Sequence, residues 1–269
     1  MNSLIRGKAG TDQRPNRRRP TPILPQEVVF CLSRGGAGPI LRQDEARVIQ
    51  VYTLHAWPDS ASLIVRLVLE ELGLPHVSRL IDRAAGELDS PAYRAIHPLG
   101  KIPAFETPDG PMFETAAILL YLSDRHPGLA PAPTSPERAA FLKWFFFTSG
   151  TLHPAVMDGH YPERVAGAEA APALLPHVAR RAATALAALD AAAAANPPWL
   201  PAEGPSLLGY YIAVLMRWMG QHAKDAPCYV RAADYPALAR VLAQLETRPA
   251  ALRLAEAEGL GATIFTNPA

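Results

Sequence analysis

The chain has 269 residues, 49% of them hydrophobic, which is ample for packed cores in one large or two small domains. Its formal net charge of +1 gives no overall pull toward nucleic acid or a membrane surface. Its two cysteines, Cys31 and Cys228, are too few for a disulfide framework and too far apart for paired metal ligands, so a reducing compartment and no metal are expected. The Ala-rich stretch 182–195 is interrupted by Asp190, so no run approaches a membrane span, and residues 28–32 are too short an apolar run for a signal-peptide core. A cytoplasmic protein without nucleic-acid or membrane partners is the expectation.

The charge is uneven along the chain. Residues 1–47 carry 9 Lys and Arg against 4 Asp and Glu, and residues 48–269 carry 17 against 21. Residues 1–46 hold RPNRRRP and SRGGAGP with little periodicity and read as a disordered, basic, proline-rich tail. Arg17, Arg18 and Arg19 could contact an anion, but a solvated tail, or a start assigned too early, explains them as well. Order is expected from residue 47. Residues 48–54 (VIQVYTL) read as a buried strand, 63–72 as a helix stopped by Gly73, 77–81 as a second strand and 91–96 as a short helix. Residues 104–106 and 112–113 flank Pro108-Asp109-Gly110 as a hairpin, and 114–125 form a helix closed by His126-Pro127-Gly128. The order βαβαββα is a thioredoxin-like layout over residues 47–128. A proline-rich linker at 129–136 leads to an all-helical domain at 137–269, with helices expected at 137–152, 176–195, 206–221, 236–246 and 249–258.

The richest segment is residues 97–122, HPLGKIPAFETPDGPMFETAAILLYL. An X-Pro bond can be cis at about 0.5–1 kcal/mol, and a cis Ile102-Pro103 bond would turn the N–H and C=O of Ile102 toward an extended peptide that pairs as an added strand. The helix that opens at Glu114-Thr115 would meet that peptide's carboxylate with its N–H groups and the Thr115 hydroxyl. An acid and a hydroxyl at a helix start are also ordinary capping, so the pair gains meaning only with Ile102-Pro103 upstream. Lys101 could pair with a second carboxylate or be solvated.

This segment resembles the glutathione-binding half-site of the glutathione S-transferases, NPxGxVPxL followed by an E/Q-S pair, with His97, Ile102 and Thr115 in place of Asn, Val and Ser. The resemblance extends in organisation over residues 48–254. It implies a thioredoxin-like domain plus a helical domain, a homodimer, glutathione as co-substrate, and glutathione contacts at Lys101, Ile102, Pro103, Glu114 and Thr115. A small hydrophobic electrophile would be held by the helical domain, and conjugation to it would be a detoxification reaction. The family's buried sixth helix usually opens with Ser/Thr-x-x-Asp; here Ser206-Leu207-Leu208-Gly209 lacks the carboxylate.

The glutathione thiol would fall near residues 56–62 (AWPDSAS). A thiol of pKa about 8.5 needs about 2.7 kcal/mol of thiolate stabilisation to drop two units. Ser60 and Ser62 are the available hydroxyls, beside the start of the following helix, although a serine there can equally be an N-cap. The family's cysteine-type pattern places Ala61 at the cysteine, which argues against a glutaredoxin-like mixed disulfide. Tyr52 reads as core and His55 as a polar strand end. The aromatic run 144–147 reads more readily as core than as substrate wall. His160, Tyr161 and Arg164 are candidates for the second-substrate pocket, and His153 and His160 do not make a metal site. Alternative functions on the same frame are a glutathione-dependent isomerase, dehalogenase or peroxidase, or a non-catalytic binding or interaction protein. The maleylacetoacetate type of isomerase would show a Ser-Ser-Cys segment that is absent here.

Overall fold

A computed structural model describes residues 51–268; the basic tail at 1–46 and the start of the first expected strand lie outside the described residues. Strand β1 (Tyr52–Ala56) ends two residues later than the apolar run suggests, because His55 and Ala56 still pair within the sheet. Helix α1 (Ala61–Glu71) follows and ends before Gly73, whose φ of 62° suits the residue after a helix. Strand β2 (His76–Leu80), helix α2 (Pro91–Ile96), the hairpin β3 (Ala104–Thr107) and β4 (Gly110–Phe113), and helix α3 (Thr115–Arg125) complete the unit. The sheet order is β2-β1-β3-β4, with β1 and β2 parallel and the remaining pairs antiparallel. On one face Tyr52, Leu54 and Phe105 pack with α1 and α3; on the other, Ala104 packs with Ile81 and Tyr93 of the α2 side. This is a thioredoxin-like domain.

The rest is helical, but two helices differ from the sequence expectation. Helix α4 (Arg138–Phe147) passes through one wider, π-type turn (Thr148–Leu152) directly into α5 (His153–His160), so His153 and His160 lie on a helix. Within the aromatic run Phe145 is fully buried while Phe146 is 53% exposed. Helix α6 (Glu163–Ala194) starts well before Pro176: the chain breaks at Gly167, with φ 72° and ψ 163°, and then continues through Pro172 and Pro176. Those prolines lie four apart, so the carbonyls they leave without a helical partner fall on one side of the helix.

Helix α7 (Leu207–Gly220) is the centre of the molecule. Every residue from Leu207 to Met219 is buried, which explains a sequence that is apolar around its whole circumference. Ser206 caps it with half of the expected box: its Oγ accepts from Gly209 N–H at 3.0 Å. Gly209 suits that geometry, since a Cβ there would stand 2.7 Å from the same oxygen. Helices α8 (Pro236–Glu246) and α9 (Pro249–Glu258) each place proline in the first turn, where its missing N–H costs nothing. The start of α8 is capped from another helix: Asp190 Oδ1 on α6 accepts from Ala237 N–H at 2.8 Å and Leu238 N–H at 2.9 Å. Asp190→Ala removes that cap, and the urea midpoint is expected to fall by an amount equivalent to about 1–2 kcal/mol with the slope m unchanged.

Candidate active site

Strand register brings three separate segments to one end of the sheet. His55 pairs with Ala104 and Ala104 pairs with Phe113, so the end of β1, the start of β3 and the end of β4 stand side by side. One step beyond those residues lie the 57–62 loop, Ile102-Pro103 and Glu114-Thr115. The Ile102-Pro103 bond is cis. Pro103 is buried, Ile102 half-buried and Lys101 exposed. The turn ahead of them is tightly held. His97 Nδ1 accepts from Leu99 N–H at 3.2 Å, Gly100 N–H donates to His97 C=O at 2.9 Å, and Tyr93 Oη donates to Lys101 C=O at 2.7 Å. His97 thus fills the role of the expected Asn as a side-chain acceptor within the turn. Burial pushes its pKa below the ordinary value, with Glu114 opposing. Gly100 has φ 57°, and a Cβ there would meet the Leu88 carbonyl oxygen at 2.5 Å, so only glycine fits.

Glu114 precedes α3 with φ 70° and is exposed, whereas Thr115 is 6% exposed. No side-chain hydrogen bond caps the start of α3, so its first N–H groups face the end of the sheet with their share of the helix dipole.

In the 57–62 loop the two serines differ. Ser60 is the N-cap of α1; its Oγ donates to Trp57 C=O at 2.7 Å and is half-buried. Ser62 is 2% exposed; its Oγ accepts from Trp57 N–H at 3.2 Å, and the two hydroxyls are 2.8 Å apart. The hydroxyl nearer the surface is therefore that of Ser60. His55, also buried, lies on the α2 face of the sheet. Arg79, which can only donate, bonds its Nδ1 at 3.2 Å, so Nε2–H donates to Glu106 at 2.7 Å. That is the polar strand-end role expected from sequence.

The loop's position is set by a residue that sequence reasoning passed over. Asp59, with φ 48°, accepts from Arg217 Nε at 3.1 Å and Nη2 at 3.0 Å, from Trp218 Nε1 at 3.0 Å and from Gln221 Nε2 at 2.9 Å. Its own N–H donates to Glu258 Oε2 at 2.8 Å. Arg217, 2% exposed, also donates through Nη1 to Ile264 C=O at 3.0 Å. Burial opposes ionisation of Asp59, but the hydrogen bonds and charge of Arg217, with Gln221 and Trp218, outweigh it and hold its carboxyl below the usual range. Glu258 is shifted the other way, raised chiefly by burial. At the far end of α1, Glu71 accepts from Tyr210 Oη at 2.6 Å and pairs with Arg248, which keeps its pKa low despite burial. The signal available in sequence was Arg217 itself, a guanidinium amid an apolar helix that demands a buried partner.

The residues suggested for a second substrate come together on the helical side. Arg164 stacks on the Tyr161 ring at 3.8 Å, and His160 lies 6.5 Å, centroid to centroid, from Trp218, the same ring that bonds Asp59. Also on that side, His153 Nδ1 bonds the Tyr211 hydroxyl at 2.8 Å. Among the described residues no cluster of His, Cys, Asp and Glu is arranged to hold a metal ion, and no helix is long and apolar enough to cross a membrane.

The structure thus joins a thioredoxin-like domain, with a cis-proline edge beside a helix start that no side chain caps, to a helical domain. Comparison with known proteins gives the family. The model described as glutathione S-transferase, N-terminal domain, matches residues 54–131. YfcG of Escherichia coli K12, a disulfide-bond oxidoreductase, is 31% identical over 196 residues, covering 69% of this chain and 86% of that protein. The chain spans about half the length of several other curated relatives. A Sulfitobacter glutathione transferase homologue, solved with bound glutathione, is 26% identical with a TM-score of 0.65, covering 77% of this chain and 97% of that one. A sphingomonad glutathione S-transferase complexed with glutathione is 28% identical with a TM-score of 0.63, covering 78% and 100%. The chain belongs to the glutathione S-transferase family.

Asp59→Ala leaves the buried Arg217 guanidinium without its counter-charge and is expected to cost about 3 kcal/mol or more in urea unfolding at pH 7. A carboxyl whose folded pKa lies below its unfolded value stabilises fully above the unfolded value, near 4, and loses that contribution as pH falls through the folded one. Asp59 and Glu71 are both such groups, so stability should decline below about pH 4. Asp59→Asn should make that acid decline shallower when unfolding is followed from pH 7 to pH 3.

Proposed function

We propose that the chain binds glutathione across the end of its sheet, stabilises the thiolate, and transfers it to a small hydrophobic electrophile held against the helical domain. The observation that carries this reading is the spacing of the three segments. Strands lie about 4.8 Å apart, so two steps from β1 to β4 span about 10 Å, which is the reach of three extended residues. In this reading the γ-glutamyl carboxylate meets the start of α3 and Thr115, and its amine lies by Glu114. The cysteinyl backbone pairs with Ile102 beside Pro103, Lys101 meets the glycyl carboxylate, and the thiol reaches Ser60. On binding, the Ser60 hydroxyl turns its proton from Trp57 C=O to the sulfur and, with the first N–H groups of α1, stabilises the thiolate, while Ser62 Oγ, 3.1 Å from that carbonyl, donates to it instead. His160, Tyr161 and Arg164 form part of the electrophile's wall. The glutathione-bound relatives support the choice of peptide.

The relative named as a disulfide-bond oxidoreductase favours a second reading of the same site. There the bound thiolate attacks a small disulfide, forming a mixed disulfide with glutathione and releasing the other half as a thiolate. Among the described residues no cysteine enters that step: the cysteine-type position is Ala61, and Cys228 is buried with its thiol pKa raised by that burial. Product analysis separates the readings, because transfer gives a thioether and exchange gives a disulfide.

We also infer a homodimer, supported by exposed aromatic side chains on both domains, Phe113 of β4 at 38% and Phe146 of α4 at 53%. Phe146→Asp is expected to shift the sedimentation coefficient from dimer to monomer; a parent chain that already sediments as a monomer overturns the inference.

Thr115→Ala should weaken glutathione binding by about tenfold or more in calorimetric titration, since it removes a hydrogen bond to a charged group. Ser60→Ala should leave that affinity within a few fold while the bound thiol's pKa, read from thiolate absorbance, rises. Unchanged affinity in the first variant sinks the peptide site, and an unchanged thiol pKa in the second sinks the hydroxyl mechanism.

A further inference from the structure

One carboxylate in the helical domain stands where helix stability does not explain it. Glu246 is the last residue of α8, and a negative charge at a helix C-terminus is opposed by the helix dipole. Among the described residues it pairs with no cation. Its three hydrogen-bond donors all lie on the segment that follows α9. Oε2 accepts from Phe265 N–H at 3.2 Å and Thr266 N–H at 3.1 Å, and Oε1 accepts from the Thr266 hydroxyl at 2.7 Å. That segment is packed as well as bonded. Ile264 and Phe265 are 2% and 1% exposed, and a Cβ at Gly220 on α7 would stand 2.9 Å from Pro268.

The peptide group between Ile264 and Phe265 connects this carboxylate to the Asp59 clamp. Its N–H donates to Glu246, and its C=O accepts from Arg217 Nη1 at 3.0 Å. Because a peptide unit is rigid and planar, the bond on one side fixes the direction offered on the other. Arg217 then spends Nε and Nη2 on Asp59, at 3.1 and 3.0 Å. A planar guanidinium held at three points, two on Asp59 and one on this peptide, has one orientation. The line therefore runs from the Glu246 anion through one peptide to the Arg217 cation, and on to the Asp59 anion beside Ser60. Charges alternating along a buried hydrogen-bond chain polarise and strengthen each bond in it.

Resting on the glutathione reading above, we propose that Glu246 is a positioning residue of the thiolate site. Through the Ile264–Phe265 peptide it orients Arg217, and through Asp59 it sets the Ser60 hydroxyl and the first turn of α1 against the sulfur. Glu246 itself touches neither glutathione nor the electrophile.

The test follows the bound thiol, so it does not depend on which electrophile is used. Full-length parent, Glu246→Ala, Glu246→Gln and Thr266→Val are titrated calorimetrically with glutathione, and thiolate absorbance is scanned against pH. Glu246→Ala should raise the pKa of the bound thiol by about half a unit or more, with glutathione affinity kept within a few fold. Glu246→Gln keeps an oxygen for the two N–H groups and offers an amide N–H that the Thr266 hydroxyl can accept, so it should recover most of the parent value. Thr266→Val removes one of the three bonds and should give a smaller rise; it is the deciding variant if Glu246→Ala does not fold. A lower melting temperature with an unaltered thiol pKa is what a purely structural role gives, and it overturns the proposal. The parent keeps the two ideas apart. If it fails to bind glutathione, or binds without lowering the thiol pKa, the reading beneath this inference falls; a lowered pKa identical in parent and folded variants sinks only the role of Glu246.

Discussion

The architecture depends on one buried charge pair. Arg217 is surrounded by apolar residues on the most deeply buried helix, and such a cation is tolerable only with a well-placed anion and every N–H used. Asp59 supplies the anion, and the carbonyl of Ile264 takes a further donor. Because Asp59 sits one residue before the N-cap of α1, satisfying Arg217 also places Ser60 and the start of that helix. A core requirement of the helical domain thereby positions the 57–62 loop of the other domain. Arg66, Glu70 and Glu71 on the same helix reach Glu258, Arg253 and Arg248, so α1 is held along its length by the helices it packs against.

The sheet makes the second contribution. Its register stacks the end of β1, the start of β3 and the end of β4 at one edge, and each strand delivers a different functional group there. Backbone polar groups flank the cis-proline, a helix start presents its N–H groups, and a serine hydroxyl lies on the third segment. These parts are backbone-dominated and depend on topology more than on side-chain identity. His97, where the family pattern has Asn, accepts a turn N–H, and Thr115, where it has Ser, keeps a hydroxyl at the helix start.

The helical side is more individual. Its own features are the widened turn between α4 and α5, the break at Gly167 and the imidazole rings of His153 and His160 around Trp218. A fold can host many reactions, so under the proposed function the second substrate depends on such side chains rather than on the fold.

The sequence by itself determined what depends on neighbours along the chain. Proline before an apolar run, glycine where φ is positive, and prolines opening α8 and α9 act locally and were legible as the cis-proline edge, the stop at Gly73, the turn at Gly110 and those helix starts. Alternation and helical periodicity likewise assigned the layers. Tertiary structure decided whatever depends on partners far away in the chain. Asp59 was passed over because its cation lies 158 positions on, and Asp190 read as an interruption because the helix it caps comes 47 positions later. Ser60 and Ser62 were both candidate hydroxyls in sequence, and packing buried Ser62. The start of α6 was misplaced because Pro176, which read as a helix start, lies inside the helix, as does Pro172. Local signals come from backbone sterics and survive in any context, whereas a charge or hydroxyl acquires its role only when folding removes water and leaves one partner within reach.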